Sequence, residues 1–343
     1  MNRSKRSQSG FSMIELVIAS SLLGLLVMAV STLAVSGGQA QDFTRRLSRA
    51  TEVTQDIVDQ MRLEMVSSVR VFGNDTEGNA NLAILDLDGA PKALNTSRLP
   101  VVSPNNTLAR DTAGVKITGN SLFFTRLAWS DRFVCTSGQE YLIDVYRWIH
   151  YYLTPVDGGP KVGSPLGLNL VRVVSEPLID AAGVDGIDDP ADQEEVLLHL
   201  VQGTADATGE VHAPAQLVWL RGGLPTDLGT IRQINSTNGK LSDDPIEGRE
   251  DPWLIHRANA VVDELLSYRH HSVASIYSLP AYGVGRYGVV DESDTGFPHG
   301  FEVQVVGPSS ARQVMLHLVV ASTQRQGQVA WADVQVSVDA RDL

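Results

Sequence analysis

Hydrophobic and polar positions divide the chain into three stretches with different periods. From Leu16 to Gln41 no side chain is charged, an uninterrupted run of 26 residues. As a helix it would measure roughly 39 Å, against about 30 Å for the hydrocarbon of a bilayer. From Asp42 to Phe72 the pattern changes to a stripe, with Phe43, Leu47, Ala50, Ile57, Met61, Met65, Val69 and Phe72 recurring at threes and fours and Val53 and Thr54 bridging the gap. Arg45, Arg46, Arg49, Glu52, Asp56, Asp59 and Arg62 cover the other faces, as in an amphipathic helix. Gly73-Asn74 supplies a stop, so the spacing predicts one helix from Phe11 to Phe72, about 93 Å long.

Beyond Gly73 the period shortens. Ser121–Leu127, Tyr141–Leu153, Leu168–Ser175, Phe301–Val306, Val314–Ser322 and Val329–Asp339 read as strands, rich in β-branched and aromatic residues. Thr154–Pro160 reads as the turn between two of them. Pro252–His271 predicts a second helix, capped by Asp251, with Leu254, Ala258, Val261, Leu265 and Tyr268 on one face. Asn74–Thr118 and Gly222–Arg249, rich in Asn, Asp, Gly and Pro, read as long loops.

Charge orients the apolar run. Arg3, Lys5 and Arg6 precede it, which keeps the N-terminus in the cytoplasm and sends the remainder across. Glu15 stands at the start of the run, where an ionisable side chain is costly and marks function. The whole chain is acidic, with 27 Lys and Arg against 40 Asp and Glu, a net charge of −13. Such a surface repels phosphates, so nucleic acid is not an expected partner.

Gly10-Phe11-Ser12-Met13-Ile14-Glu15-Leu16 closely resembles the leader of type IV prepilins and type II secretion pseudopilins. The resemblance implies cleavage between Gly10 and Phe11 by a prepilin peptidase and N-methylation of Phe11. It also implies an assembly role for Glu15, whose carboxylate would be neutralised in lipid by the N-terminal amine of a neighbouring subunit. The implied fold is α+β and pilin-like: a long N-terminal helix, half in the membrane and half amphipathic, packed on an antiparallel β-sheet domain with long loops. The implied organisation is a leader over 1–10, a transmembrane helix over 11–40, its amphipathic continuation over 41–73 and a β-rich globular domain over 74–343. The expected partners are other pilin or pseudopilin subunits, the peptidase and inner-membrane lipid, and the expected location is the inner membrane, single-pass, with the domain periplasmic or extracellular in a filament. Tyr146–Leu153 and Leu168–Glu176 are similar to strands of larger minor pilins of the PilW type and of J-type pseudopilins, and both remain open. The expected role is that of a minor subunit that joins, primes or caps the filament. A tip adhesin on such a filament and a membrane-anchored periplasmic enzyme are the alternatives, and an ordinary secretory signal cut near Gln39-Ala40 is the competing leader.

Candidate chemistry in the rest of the chain is sparse, and an enzyme is not expected. Asp185, Asp188, Asp189 and Asp192 lie in an acidic stretch from Asp180 to Glu195 that reads as a solvated loop or, alternatively, as a calcium site, the one cofactor considered. Gly283-Val284-Gly285-Arg286-Tyr287-Gly288 fits a dinucleotide fingerprint in form only, since no helix can follow it, and reads as a turn. His270 and His271 would point to different helix faces. The one cysteine, Cys135, excludes an intrachain disulfide and reads as a small buried apolar residue. Trp129, Trp148, Trp219, Trp253 and Trp331 fall near predicted elements and read as core.

Overall fold

Helix α1 (Met13–Val66) contains no proline that would break its hydrogen-bond ladder. It is described here from a computed structural model covering residues 12–85, 87, 90–105, 107–112, 114–155, 168–224, 230–242, 262–265, 271–275, 289–290, 296–322 and 329–341. The structure divides into two units, Met1–Arg49 and Ala50–Leu343. In the first unit the large apolar side chains are exposed, from Met13 at 87% to Val35 at 60%. In the second, the Ala50–Val66 portion of α1 lays Ile57, Val58, Met61 and Met65 on a sheet.

The helix stops earlier than its apolar stripe predicts. Ser68–Phe72, expected as its last turn, is strand β1, with Val71 opposite Phe124 in the next long strand. Three of the five residues of Ser-Val-Arg-Val-Phe are β-branched or aromatic, which fits a pleated surface better than a helix. Gly73 follows, and a Cβ there would come within 2.6 Å of Val102.

The other elements are α2 (Thr76–Ile84), β2 (Val102–Ser103), β3 (Ser121–Val134), β4 (Glu140–Pro155), β5 (Leu168–Val174), β6 (Leu178–Asp180), α3 (Ala181–Asp185) and α4 (Pro190–Gln202). They continue with β7 (Leu217–Trp219), β8 (Ile231–Gln233), β9 (Val262–Glu264), β10 (His271–Val273), β11 (Phe301–Val306), β12 (Arg312–Ser322) and β13 (Ala330–Ala340). All strands join one mixed sheet in the order β2-β11-β12-β10-β5-β4-β6-β7-β8, with β3 also on β4, β13 also on β12, β1 on β3 and β9 on β5. Its pairings are antiparallel except β11 with β2 and β6 with β7. The fold is thus α+β and pilin-like, a long N-terminal helix followed by a mostly antiparallel sheet.

The six strands expected from sequence are all present, most of them longer at one or both ends. In β4 the side chains of Ile149, Tyr151 and Leu153 join α1 on one face. Trp148 lies on the opposite face with Phe72, Phe123 and Trp219. Burial on both faces explains why Tyr146–Leu153 shows no apolar–polar alternation. Past a bulge between Leu127 and Trp129, the β3–β4 hairpin continues into a separate core, where Ile143 and Val145 meet Val196, Leu197 and Leu200 of α4.

Three expectations need correction or fall outside the description. Residues 262–264, inside the expected second helix, form strand β9, and His271, its expected last residue, begins strand β10. Antiparallel pairing to β5 and to β12 overrides the weak helical periodicity; residues 252–261 and 266–270, with Trp253 and His270, lie outside the described residues. The expected loop over Asn74–Thr118 contains α2, capped by the Asp75 carboxylate on the Gly78 amide. The turn at 156–160 and the glycines of 283–288 also lie outside the described residues, although β4 and β5 pair as that turn requires.

Candidate functional site

The start of α1 is built from Ser12 and Glu15. The Ser12 amide donates to Glu15 Oε2 at 2.9 Å, and the Glu15 amide donates to Ser12 Oγ at 3.2 Å. This is a reciprocal capping box that satisfies two of the helix's orphan amides. The Ser-x-x-Glu spacing is visible in the sequence, but a carboxylate at the head of an apolar run reads first as a charge in lipid, which hides its capping role. Gly10 and Phe11 lie outside the described residues. Farther along, the hydroxyls of Ser21 and Thr32 donate to Val17 and Met28 carbonyls, each at 2.8 Å. These two hydroxyls are thus satisfied within the helix and could enter an apolar medium at little cost.

The acidic stretch is not a loop. Asp180 caps α3 by accepting from the Ala182 amide at 3.1 Å, and Asp189 caps α4 by accepting from Ala191 at 2.9 Å, with Pro190 at the first helical position. The Asp189-Pro190 pair was the available signal. Gly203, at φ 61, closes α4 in the left-handed conformation. Asp185 pairs with Arg232 at 2.9 Å. Asp192 is buried and accepts from Ser137 and Tyr141, each at 2.9 Å. Among the described residues Asp185, Asp188, Asp189 and Asp192 do not converge; the one cluster with ligand-type atoms inside 4.8 Å of one another is Cys135, Asp192 and Glu195. Burial, with Asp192 and Glu195 beside it, pushes the Cys135 thiol up to about 11, so it is an inert apolar filler there. Glu195 is already engaged with the amide and hydroxyl of Thr136.

Two buried polar clusters brace the sheet, and neither was visible in the sequence because their members lie far apart along the chain. In the first, Glu64 of α1 is 5% exposed and accepts from Tyr151 Oη at 2.5 Å. Arg172 of β5 pairs with the same carboxylate, and Arg126 stands 3.6 Å from it. Burial and then the Glu64 carboxylate raise the Tyr151 phenol, which stays a donor.

In the second cluster His317 is flanked by Glu302 at 2.5 Å and Asp333 at 2.8 Å. His299 stands 3.7 Å from Glu302, and the Val289 amide donates to it at 3.0 Å. Burial alone would lower the His317 pKa, but the two carboxylates raise it to about 9. The unfolded imidazole titrates near 6.5. This contribution to stability is therefore complete below pH 6.5 and lost as pH rises through 9. Burial would raise Glu302, yet His299, His317 and the Val289 amide hold it down to about 2, so its contribution is present above 4.5 and lost as pH falls through 2. His150, bonded to Ser121 Oγ at 2.7 Å, is lowered by burial to about 3. The unfolded chain would take up a proton at His150 below pH 6.5 that the folded chain refuses, which again costs stability in acid. The urea midpoint of the full-length chain in detergent is expected to peak near pH 6.5 and fall on both sides. His317→Gln should flatten the alkaline limb; an unchanged slope between pH 6.5 and 9 would assign that limb elsewhere.

The prokaryotic N-terminal methylation motif is matched over residues 5–31. No curated protein and no solved structure matches the chain. The motif and the apolar N-terminal helix together support a protein of type IV pilin or pseudopilin type, consistent with membrane anchoring and with association with other pilin subunits and the prepilin peptidase in general.

Proposed function

We propose that this pilin- or pseudopilin-type chain is a minor, structural subunit that joins, primes or caps a type IV pilus or type II secretion pseudopilus after cleavage between Gly10 and Phe11. The observation that carries the reading is the first part of α1. Its start lies within the methylation motif matched over residues 5–31, and it leaves Leu16, Leu22, Leu26, Met28 and Leu33 more than half exposed. Within the chain nothing covers these side chains among the described residues; lipid and then the apolar helices of neighbouring subunits would do so. A large sheet with an additional hairpin core suits a subunit present in few copies better than one that must stack repeatedly. The role is assembly rather than catalysis.

The test is the mass of the N-terminal peptide of the mature protein from membranes of its host. A peptide beginning at methylated Phe11 is the expected result; one beginning near Gln41 would mean a conventional secretory signal and end the filament reading.

The capping box refines the expected role of Glu15. Glu15→Ala should leave membrane insertion intact and lower filament incorporation tenfold or more, a loss of about 1.4 kcal/mol or greater. Ser12→Ala removes the other bond of the capping box, from the Glu15 amide to Ser12 Oγ, while keeping the carboxylate, and should incorporate nearly normally. Equal loss in the two variants, scored by immunoblot of sheared filaments, would trace the effect to helix capping instead of charge neutralisation.

A further inference from the structure

We infer that Arg45, Arg46 and Arg49 form a docking surface for anionic phospholipid headgroups at the face of the membrane where the apolar helix emerges. The inference rests on the membrane-anchored reading of α1 and adds a lipid partner to it. Arg45 and Arg49 are exposed, and neither has an ion pair among the described residues. They stand four residues apart on one helix face. Arg46 is half-buried and donates to the Asp42 carbonyl at 3.3 Å.

Position decides the partner. The uncharged run ends at Gln41; at helical rise Arg45 lies about 6 Å and Arg49 about 12 Å beyond it. The headgroup layer of a bilayer is roughly 5–7 Å deep on each side, and an arginine can bend its long stem back toward it. Phe43, 38% exposed, stands between the run and the arginines, where an aromatic ring suits the interface. A zwitterionic surface would satisfy the apolar run equally well, so the three guanidinium groups add something only where phosphate charge is in excess. The remaining chain, with 24 Lys and Arg against 40 Asp and Glu once these three are set aside, a net charge of −16, would be repelled by such a surface. Attraction is therefore confined to this stretch, and it acts once the helix is inserted, before any acidic protein partner is met. Each arginine near an anionic surface is worth about five-fold in affinity, so the three together are worth on the order of a hundred-fold.

The experiment places the full-length chain in nanodiscs of mixed phosphatidylcholine and phosphatidylglycerol and counts retained lipids by native mass spectrometry. The expected result is a several-fold enrichment of phosphatidylglycerol for the wild type, abolished in the triple variant R45Q/R46Q/R49Q, reduced in 1 M salt and kept in R62Q, whose arginine lies farther along the same helix. Enrichment that is equal in wild type and triple variant would overturn the inference. So would a triple variant that keeps its phosphatidylglycerol but fails to incorporate into filaments, which would assign the arginines to an acidic neighbouring subunit. Failure of every variant to enter discs would overturn the membrane-anchored reading itself and is recognised separately.

Discussion

Replacing Glu64 with alanine is expected to destabilise the unit Ala50–Leu343 by about 3–5 kcal/mol. The loss of a pair at the surface costs little, but this carboxylate is 6% exposed and its partner Arg172 is 10% exposed. Alanine would take this carboxylate from the Arg172 guanidinium and the Tyr151 hydroxyl, which lie against the apolar seam between α1 and the sheet. The cost is that of removing one partner from a buried charge pair rather than the net worth of the pair. In urea unfolding of the full-length chain in detergent, followed by tryptophan fluorescence, the midpoint should drop by roughly 1 M or more. The double variant E64M/R172M removes both charges and should recover most of the loss. A midpoint for Glu64→Ala within a few tenths of wild type would mean that the pair is open to solvent and does not brace the helix.

The second large effect belongs to Trp148. Its side chain is fully buried and meets Phe123 edge-on at 5.4 Å, Trp219 at 5.6 Å and Phe72 at 6.0 Å. Trp148→Ala would empty the middle of that aromatic cluster and is expected to cost about 3–5 kcal/mol, while Trp148→Phe keeps part of the packing and should cost less. Leu142, 65% exposed on the hairpin, provides the contrast. Leu142→Ala should stay within about 0.5 kcal/mol. Similar losses for Trp148→Ala and Leu142→Ala would show that the two-sided burial of β4 is not the main source of stability.

Much of the fold could be read from the chain because the signals are local. The uncharged run, the amphipathic stripe after it and six β-rich segments depend on side chains within a few residues of each other, and each is found where that periodicity puts it. Errors fall where one pattern admits two structures. Val69 and Phe72 fit both a helical stripe and a strand, and pairing with β3 selects the strand. The stretch from Asp180 to Glu195 has the composition of a solvated loop, but two of its aspartates are helix caps.

What the sequence by itself determined is the N-terminal part: the motif around Gly10, Phe11 and Glu15 and the length of the apolar run. The tertiary structure alone decided the two polar clusters. Glu64 and Arg172 are 108 residues apart, and His317 meets Glu302 and Asp333 only after β11, β12 and β13 come into register. The physical reason is range. Helix capping and amphipathic periodicity act over one or two turns, whereas the pairing of buried charges depends on which strands the sheet has placed side by side.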